Sequence, residues 1–341
     1  MVSLNNYPMV SVLMITYNHE LYIAQAIEGV LMQKVDFEME LVIGEDCSND
    51  STRAICENYA SQYPDKIRLL PSDRNQGMMP NFLRTLDSCH GKYIAMCEGD
   101  DYWTDPLKIK KQVEVFESDP EVGLVHSDCN ILYQETGRLI RSKNLANGIN
   151  YSGFDNPYLG ILIGEYAIFT CTVLAKKDLL LKSESDEIVS NLENLQGDLP
   201  RWLYISKHSK VEYINEPTAT YRVINGSSSH QKDVLKRLQY QVSSKKIRKK
   251  FADRDNLPHE ILKITNRMYY GSLISLLFYI GDLDKINSLK KDIRSQKIQV
   301  SYATLLKILF SMNGLIYKII YRLHQLKLDR RSLISSYIVD N

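Results

Sequence analysis

The sequence predicts an α/β fold, a mainly parallel sheet with helices on both faces, followed by a C-terminal region that is mainly helical. Three observations predict it. From residue 10 to 126, short apolar runs rich in β-branched residues alternate with segments of helical period, the pattern of βαβ units. Polar clusters close three of those runs, at 16–18, 45–50 and 98–101, and the carboxyl ends of strands are where open α/β sheets bind ligands. Charge then divides the chain: residues 1–230 carry 20 basic and 32 acidic side chains, net −12, and residues 231–341 carry 22 and 9, net +13. That split places a boundary near residue 230, between an α/β domain over 1–230 and a basic, mainly helical region over 231–341. A basic surface attracts anionic partners.

Val10–Tyr17 (VSVLMITY) reads as a buried parallel strand, broken by Asn18 and His19. Leu21, Ala24, Ile27, Val30 and Leu31 then recur at helical spacing. Glu40–Gly44 is a second strand. Asp50 or Ser51 caps a helix that Pro64 stops, and Lys66–Leu70 is a third strand. Met79–Cys89 is a helix and Lys92–Cys97 a fourth strand, running into Glu98-Gly99-Asp100-Asp101. Asp105-Pro106 opens a helix as N-cap and first residue, and Val122–His126 is a fifth strand. Beyond 130 the alternation weakens: 137–151 reads as loop, 167–174 as a strand, 197–206 as a turn into a helix, and 211–214 and 218–223 as two short strands. From Gln231 onward helical periodicity dominates.

The composition, 44% hydrophobic and 24% charged over 341 residues, excludes a disordered, collagenous or disulfide-scaffold chain. The six cysteines (47, 56, 89, 97, 129, 171) form no CxxC pair and no metal-ligand spacing, so they read as reduced, buried small hydrophobes. The first residues lack a basic segment before an apolar core. The longest uncharged apolar stretch, Met268–Gly281, is shorter than the roughly 18–20 residues of a spanning helix. A cytoplasmic protein is expected.

The chemistry concentrates in carboxylates. Adjacent Asp100 and Asp101 at a strand end repel one another, and a divalent cation relieves the repulsion. Mg²⁺ or Mn²⁺ takes one or two protein carboxylates and completes its shell with phosphate and water. The same pair also suits a solvated turn.

Several segments together resemble family 2 glycosyltransferases, the inverting, nucleotide-sugar-dependent enzymes of GT-A fold. The opening VSVLMITYNHELYIAQAIEGVLMQ resembles that family's first strand and helix. Glu45-Asp46-Cys47-Ser48-Asn49-Asp50 is similar to its D-D-x-S-x-D segment, with Glu45 in the place of the first Asp. Arg74-Asn75-Gln76-Gly77 resembles its N-x-G loop, Glu98-Gly99-Asp100-Asp101-Tyr102-Trp103 its variant of the DxD motif, and Gly197-Asp198-Leu199-Pro200 its catalytic-base segment. Tyr221-Arg222 through Ser229-His230 resembles its closing loop. The resemblance covers about residues 8–230.

It implies roles residue by residue. Tyr17 would stack near the base and the backbone at Thr16 would hydrogen-bond it. Asp46 would accept from uracil N3–H, Gln76 and Gly77 would let the backbone approach the nucleoside, and Asp100 would hold the ribose. Asp101 and His230 would bind the metal, Mn²⁺ or Mg²⁺, and Asp198 would be the general base. Displacement at an anomeric carbon needs a charge-stabilised diphosphate, a base for the acceptor hydroxyl and in-line placement. One base and no second nucleophilic carboxylate give inversion. Asp198 also suits a helix N-cap, His230 an exposed loop position, and Tyr17 core packing. The donor implied is a UDP-sugar. The acceptor implied is a glycan or a polyprenyl-diphosphate-linked oligosaccharide of a bacterial surface polysaccharide.

The segment 301–328 sets Leu305, Leu309, Leu315, Ile316, Ile319 and Leu323 at helical spacing among Lys and Arg. It fits an amphipathic helix on an anionic membrane surface at the inner face of the cell membrane, a helix packed on the domain, or a homodimer contact. Nothing interleaves these charges as a nucleic-acid reader would. Two rival readings are a nucleotidyltransferase and a silent nucleotide- or glycan-binding module. The first lacks its Gly-rich basic loop at residues 16–19. Against the second stand Asp46, Asp100, Asp101 and Asp198 together.

Overall fold

The computed structural model describes residues 8–191, 193–227, 231–295, 297–311, 317–319 and 321–322. They fall into two compact units. One lies within Met1–Ile161, Tyr166–Leu192 and Arg201–Val223, the other within Leu162–Glu165, Glu193–Pro200 and Ile224–Asn341.

The first unit is built on β1 (Val10–Thr16), β2 (Met39–Glu45), β3 (Ile67–Pro71), β4 (Tyr93–Met96), β5 (Tyr102–Trp103), β6 (Val122–Tyr133), β7 (Arg138–Ile140), β8 (Leu174–Lys176) and β9 (Lys210–Val223). They form one sheet in the order β3-β2-β1-β4-β8-β6-β9-β5, with β7 on β6. The first four strands are mutually parallel, as their apolar runs predict; β8 then enters antiparallel to both β4 and β6, while β6 and β9 are parallel. The connecting helices are α1 (Ile23–Leu31), α2 (Thr52–Gln62), α3 (Met78–Ser88), α4 (Lys108–Ser118), α5 (Lys143–Ala146), α6 (Pro157–Ile163), α7 (Lys177–Ser183) and α8 (Asp198–His208); the last two residues of α6 and the first three of α8 are assigned to the second unit. Val10, Val12 and Met14 of β1 pack with Ile23, Ala26, Ile27 and Val30 of α1, and with Ile109, Val113 and Phe116 of α4, in one buried core.

The structure redraws several expected elements. Segment 167–174 is not a strand: Thr172 Oγ1 donates to the Phe169 carbonyl at 2.7 Å, closing a 3₁₀ turn at Thr170–Thr172, and only Leu174–Lys176 pairs. The stretches 211–214 and 218–223 are one strand, β9. It continues past Pro217 because the ladder to β6 shifts register between Ser127 and Cys129, where a bulge absorbs the missing donor. The region 137–151 carries β7 and α5. Helix α4 begins at Lys108, since Asp105 Oδ1 accepts the Leu107 N–H at 2.9 Å and so closes a turn ahead of the helix.

The second unit contains α9 (Val234–Arg254), α10 (His259–Ile280), α11 (Leu283–Ser295) and α12 (Tyr302–Ser311). Tyr270, Ile274, Leu277, Phe278, Ile286, Ile293, Ile308 and Tyr317 form its core. Gly281, in the left-handed region at φ 79°, ends α10 as a C-terminal glycine does. Ile308 turns inward on α12 while Leu305 and Leu309 are exposed; Leu315, Ile316, Ile320 and Leu323 lie outside the described residues. Among the described residues no helix is long and apolar enough to cross a membrane.

Candidate active site

Parallel pairing of β2, β1 and β4 brings three polar exits to one sheet edge, because Thr16 pairs with Glu45 and Leu13 with Met96. Asn18 (φ 55°) and Cys47 (φ 59°) turn the chain through the left-handed region immediately past β1 and β2. The two exits are laced together. Asn18 Oδ1 accepts the Asn49 N–H at 2.8 Å, and Ser48 Oγ accepts the Asn18 N–H at 3.0 Å. Asp50 Oδ2 accepts the Glu20 N–H at 3.1 Å.

Glu45 is fully buried beneath this turn, accepting the Ser48 N–H at 2.6 Å and Arg53 Nε at 2.7 Å. Burial alone would raise its pKa; Ser48 and the Arg53 guanidinium outweigh it and hold the carboxyl below its usual value. Asp46 is 2% exposed and accepts the N–H groups of Gln76 at 2.8 Å and Gly77 at 2.9 Å, one on each oxygen. The structure therefore unites Asp46, Gln76 and Gly77, as a carboxylate with two backbone donors. Gly77 has φ 89°, open only to glycine at low cost, and it opens α3. Thr16 is buried, with its carbonyl accepting the Asp46 N–H at 3.1 Å. Tyr17 is 38% exposed, so its ring is not core packing, and its hydroxyl accepts Asn49 Nδ2 at 3.2 Å.

Past β4 the chain turns tightly: the Gly99 N–H donates to the Ile15 carbonyl and the Asp101 N–H to the Glu98 carbonyl, each at 3.0 Å. The carboxylates of Glu98, Asp100 and Asp101 converge, each offering an oxygen within 4.8 Å of the others. His19 Nε2 stands 4.0 Å from Asp100 Oδ2, and its Nδ1 is 3.2 Å from Thr16 Oγ1. Asp101 is 2% exposed. Burial, then the charges of Asp100 and Glu98, push its pKa well above the ordinary carboxylate range. Three converging carboxylates that resist joint ionisation are a donor set that fits Mg²⁺ or Mn²⁺, with positions left for phosphate and water.

Arg222, on β9, closes this group from behind. Its N–H donates to Asp101 Oδ1 at 2.8 Å, and its guanidinium donates to the Asp100 carbonyl at 2.7 Å, Gln134 Oε1 at 2.6 Å and Gln25 Oε1 at 2.7 Å. The rings of Tyr22 and Tyr102 lie 4.8 and 5.0 Å from it. Glu98, His19 and this guanidinium carry no role in the sequence reading. Glu98 had a signal, a carboxylate two residues before Asp100; Arg222 stood in the segment resembling the closing loop, but its contacts gave no signal, because its partners are 88 to 197 residues away.

Asp198 begins α8, where its Oδ1 accepts the Leu199 N–H at 2.8 Å. It belongs to the second unit. His230 lies outside the described residues. The cysteines are free thiols; Cys97 and Cys171 are fully buried, and burial pushes both pKa values well above normal, leaving them unreactive.

Residues 11–176 match the family model described as Glycosyl transferase family 2. The dTDP-rhamnosyl transferase RfbG of Shigella flexneri is 29% identical over 316 residues, covering 87% of this chain and 99% of that one. Mycobacterium tuberculosis and Mycobacterium bovis have uncharacterised proteins that are 39% identical over 125 residues. That match spans 36% of their length, about a third. Among solved structures, Staphylococcus aureus TarS 1–349 in complex with UDP-GlcNAc superposes with a TM-score of 0.58 at 16% identity, covering 85% of this chain and 81% of that one. The mannosyltransferase PcManGT from Pyrobaculum calidifontis, in complex with GDP-Man and Mn²⁺, gives 0.53 at 15% identity over 98% and 87%. These superpositions establish the fold: it is GT-A, with an additional C-terminal helical region.

Proposed function

We propose that the chain is an inverting glycosyltransferase that moves a sugar from a UDP-sugar to a hydroxyl of a glycan or lipid-linked oligosaccharide, in the synthesis of a bacterial surface polysaccharide. The observation that carries this reading is the convergence of Glu98, Asp100 and Asp101 where β4 leaves the sheet of a GT-A fold. Asp101 with Glu98 or Asp100 would hold Mn²⁺ or Mg²⁺, which when bound neutralises charge on the departing diphosphate.

The rest of the chemistry falls to side chains. Asp46 keeps unshared lone pairs beside its two backbone donors, enough to accept a pyrimidine N3–H. Tyr17 offers an exposed ring for stacking. Asp100, also linked to its neighbours through its carbonyl, would accept from ribose hydroxyls. Asp198 would remove the acceptor hydroxyl proton as the glycosidic bond forms, leaving inverted configuration. Thymine presents the same N3–H edge as uracil, and the likeness to a dTDP-rhamnosyl transferase makes a dTDP-sugar the second donor to test.

The test is nucleotide release from a panel of UDP- and dTDP-sugars, with and without EDTA, by wild type and Asp198→Asn. The reading expects metal-dependent UDP release on addition of acceptor. In Asp198→Asn it expects transfer reduced by ~10²–10⁴, with donor affinity within a few-fold. Activity untouched by EDTA would overturn the metal assignment, and near-normal transfer by Asp198→Asn would reduce that residue to a helix cap.

A further inference from the structure

Helix α9 carries eight cations; three of them are paired within the second unit, and two more, Lys236 and Arg237, are exposed. Lys246 stands 3.8 Å from Glu193, Lys249 pairs with Asp253 at 2.5 Å, and Arg254 pairs with Asp255 at 3.0 Å. Lys245 and Arg248 are different. They lie one helical turn apart on the same side of α9, both half-buried, and neither has an ion pair among the described residues. Arg248 Nε and Nη1 are buried and have no acceptor among the described residues.

The chain supplies its own control. Arg222 is also buried, and there every guanidinium nitrogen has an acceptor. A buried arginine with a purely structural role is laced to carbonyls in that manner, since an unmade hydrogen bond forfeits the water it gave up. Arg248 gave up its water and gained no acceptor on two nitrogens. Its neighbour Lys245 adds a second charge of the same sign. Burial, partly offset by Asp198, brings the Arg248 pKa down to about 10, and burial together with Arg248 lowers that of Lys245. Two desolvated cations a turn apart are stabilised by an anion that touches both.

The segment 193–200 locates the site. Leu195 N–H donates to Ser243 Oγ at 3.0 Å, and Glu193 meets Lys246, so this segment runs along α9 beside the pair and brings Asp198 within range of the Arg248 charge. We propose that Arg248 and Lys245 form a phosphate-binding subsite next to Asp198 that holds a phosphoryl group of the substrate. Arg offers planar donors and Lys a point charge, the pairing that suits phosphoryl oxygens. The location beside Asp198 assigns the phosphate to the acceptor, whose hydroxyl that residue would deprotonate, and in this respect the inference rests on the function proposed above. The donor diphosphate has the same chemistry and is the other source to test.

The first measurement needs no catalysis. Full-length protein in EDTA is titrated with inorganic pyrophosphate and followed by ³¹P line broadening, so that the acidic cluster recruits no metal-bound phosphate. Wild type is expected to bind, with affinity falling at least tenfold in Arg248→Met, several-fold in Lys245→Met, and less in Arg248→Lys than in Arg248→Met. The second arm measures UDP affinity in Mn²⁺. A dissociation constant within twofold of wild type in Arg248→Met assigns the subsite to the acceptor; a rise of tenfold or more assigns it to the donor diphosphate and overturns the acceptor assignment. Should Arg248→Met fail to fold, Lys245→Met and Arg248→Lys carry both arms. Unchanged pyrophosphate binding in all folded variants overturns the subsite. A wild type that binds pyrophosphate through Arg248 yet releases no nucleotide from any donor keeps the subsite and sinks the proposed function instead.

Discussion

Replacing Arg222 with Met is the most informative single change at the acidic cluster. The variant keeps the length of the stem and its place between the Tyr22 and Tyr102 rings, but removes the donors that hold the Asp100 carbonyl, Gln134 and Gln25. Charge-assisted bonds of this kind contribute about 1.5–3 kcal/mol each, and ring contacts to a desolvated cation about 1–2 kcal/mol each. Against that, the variant no longer buries a charge, which returns several kcal/mol. The two glutamines can turn toward water, whereas the Asp100 carbonyl has less freedom to do so. The net loss is about 2–4 kcal/mol, which in a domain of this size lowers Tm by roughly 5–12 °C. The Arg222 N–H to Asp101 survives the substitution, so the larger effect falls on Asp100, whose backbone is released. Thermal melting in EDTA and then in Mn²⁺ separates the two effects. The melting temperature in EDTA should fall by that amount, and the further rise on adding Mn²⁺ should shrink to a fraction of the wild-type rise. A variant that melts lower but keeps the full Mn²⁺ response would show that the guanidinium supports the fold without shaping the cation site.

Asp101→Asn should raise the melting temperature in EDTA, since it removes a carboxylate that burial and two neighbouring charges disfavour, while abolishing the Mn²⁺-dependent rise; calorimetry with and without metal reads both. Glu45→Gln should destabilise the protein at pH 7. The Glu45 pKa is depressed in the folded state, so its contribution is present above the unfolded value of ~4.3 and is lost as pH falls through the folded value. Melting curves at pH 7, 5 and 3.5 should show the gap to wild type closing, and a gap independent of pH would remove charge from the explanation. Gly99→Ala would place a methyl 2.6 Å from Thr16 Oγ1 and 2.8 Å from Thr16 Cβ, forcing the acidic turn away from β1. A loss of about 1–3 kcal/mol in urea melts, with weakened Mn²⁺ stabilisation, is expected, and a neutral result would mean that the turn yields freely.

What the sequence made legible was local, and what it hid was non-local. β1, β2 and β4 announce themselves because strands buried on both faces read as unbroken apolar runs, and the three acidic or polar exits follow at once from where those runs stop. β5 is two residues long and exists only because Tyr102 and Trp103 pair with Thr220 and Ala219, more than a hundred positions later. β9 hid behind Pro217, whose lack of an N–H argues for a break until the bulge on β6 is seen. The carboxylates of the candidate site were legible as types at strand ends. Their support was not, since Gln25, Gln134 and Arg222 follow no common period. The charge split at residue 230 was visible from counting alone, yet counting treats every arginine alike. Arg222 and Arg248 differ in what surrounds them: the first has an acceptor at every nitrogen, and the second has buried nitrogens with none among the described residues. One guanidinium is therefore committed to the chain's own architecture, and the other is left with hydrogen bonds that a substrate can complete.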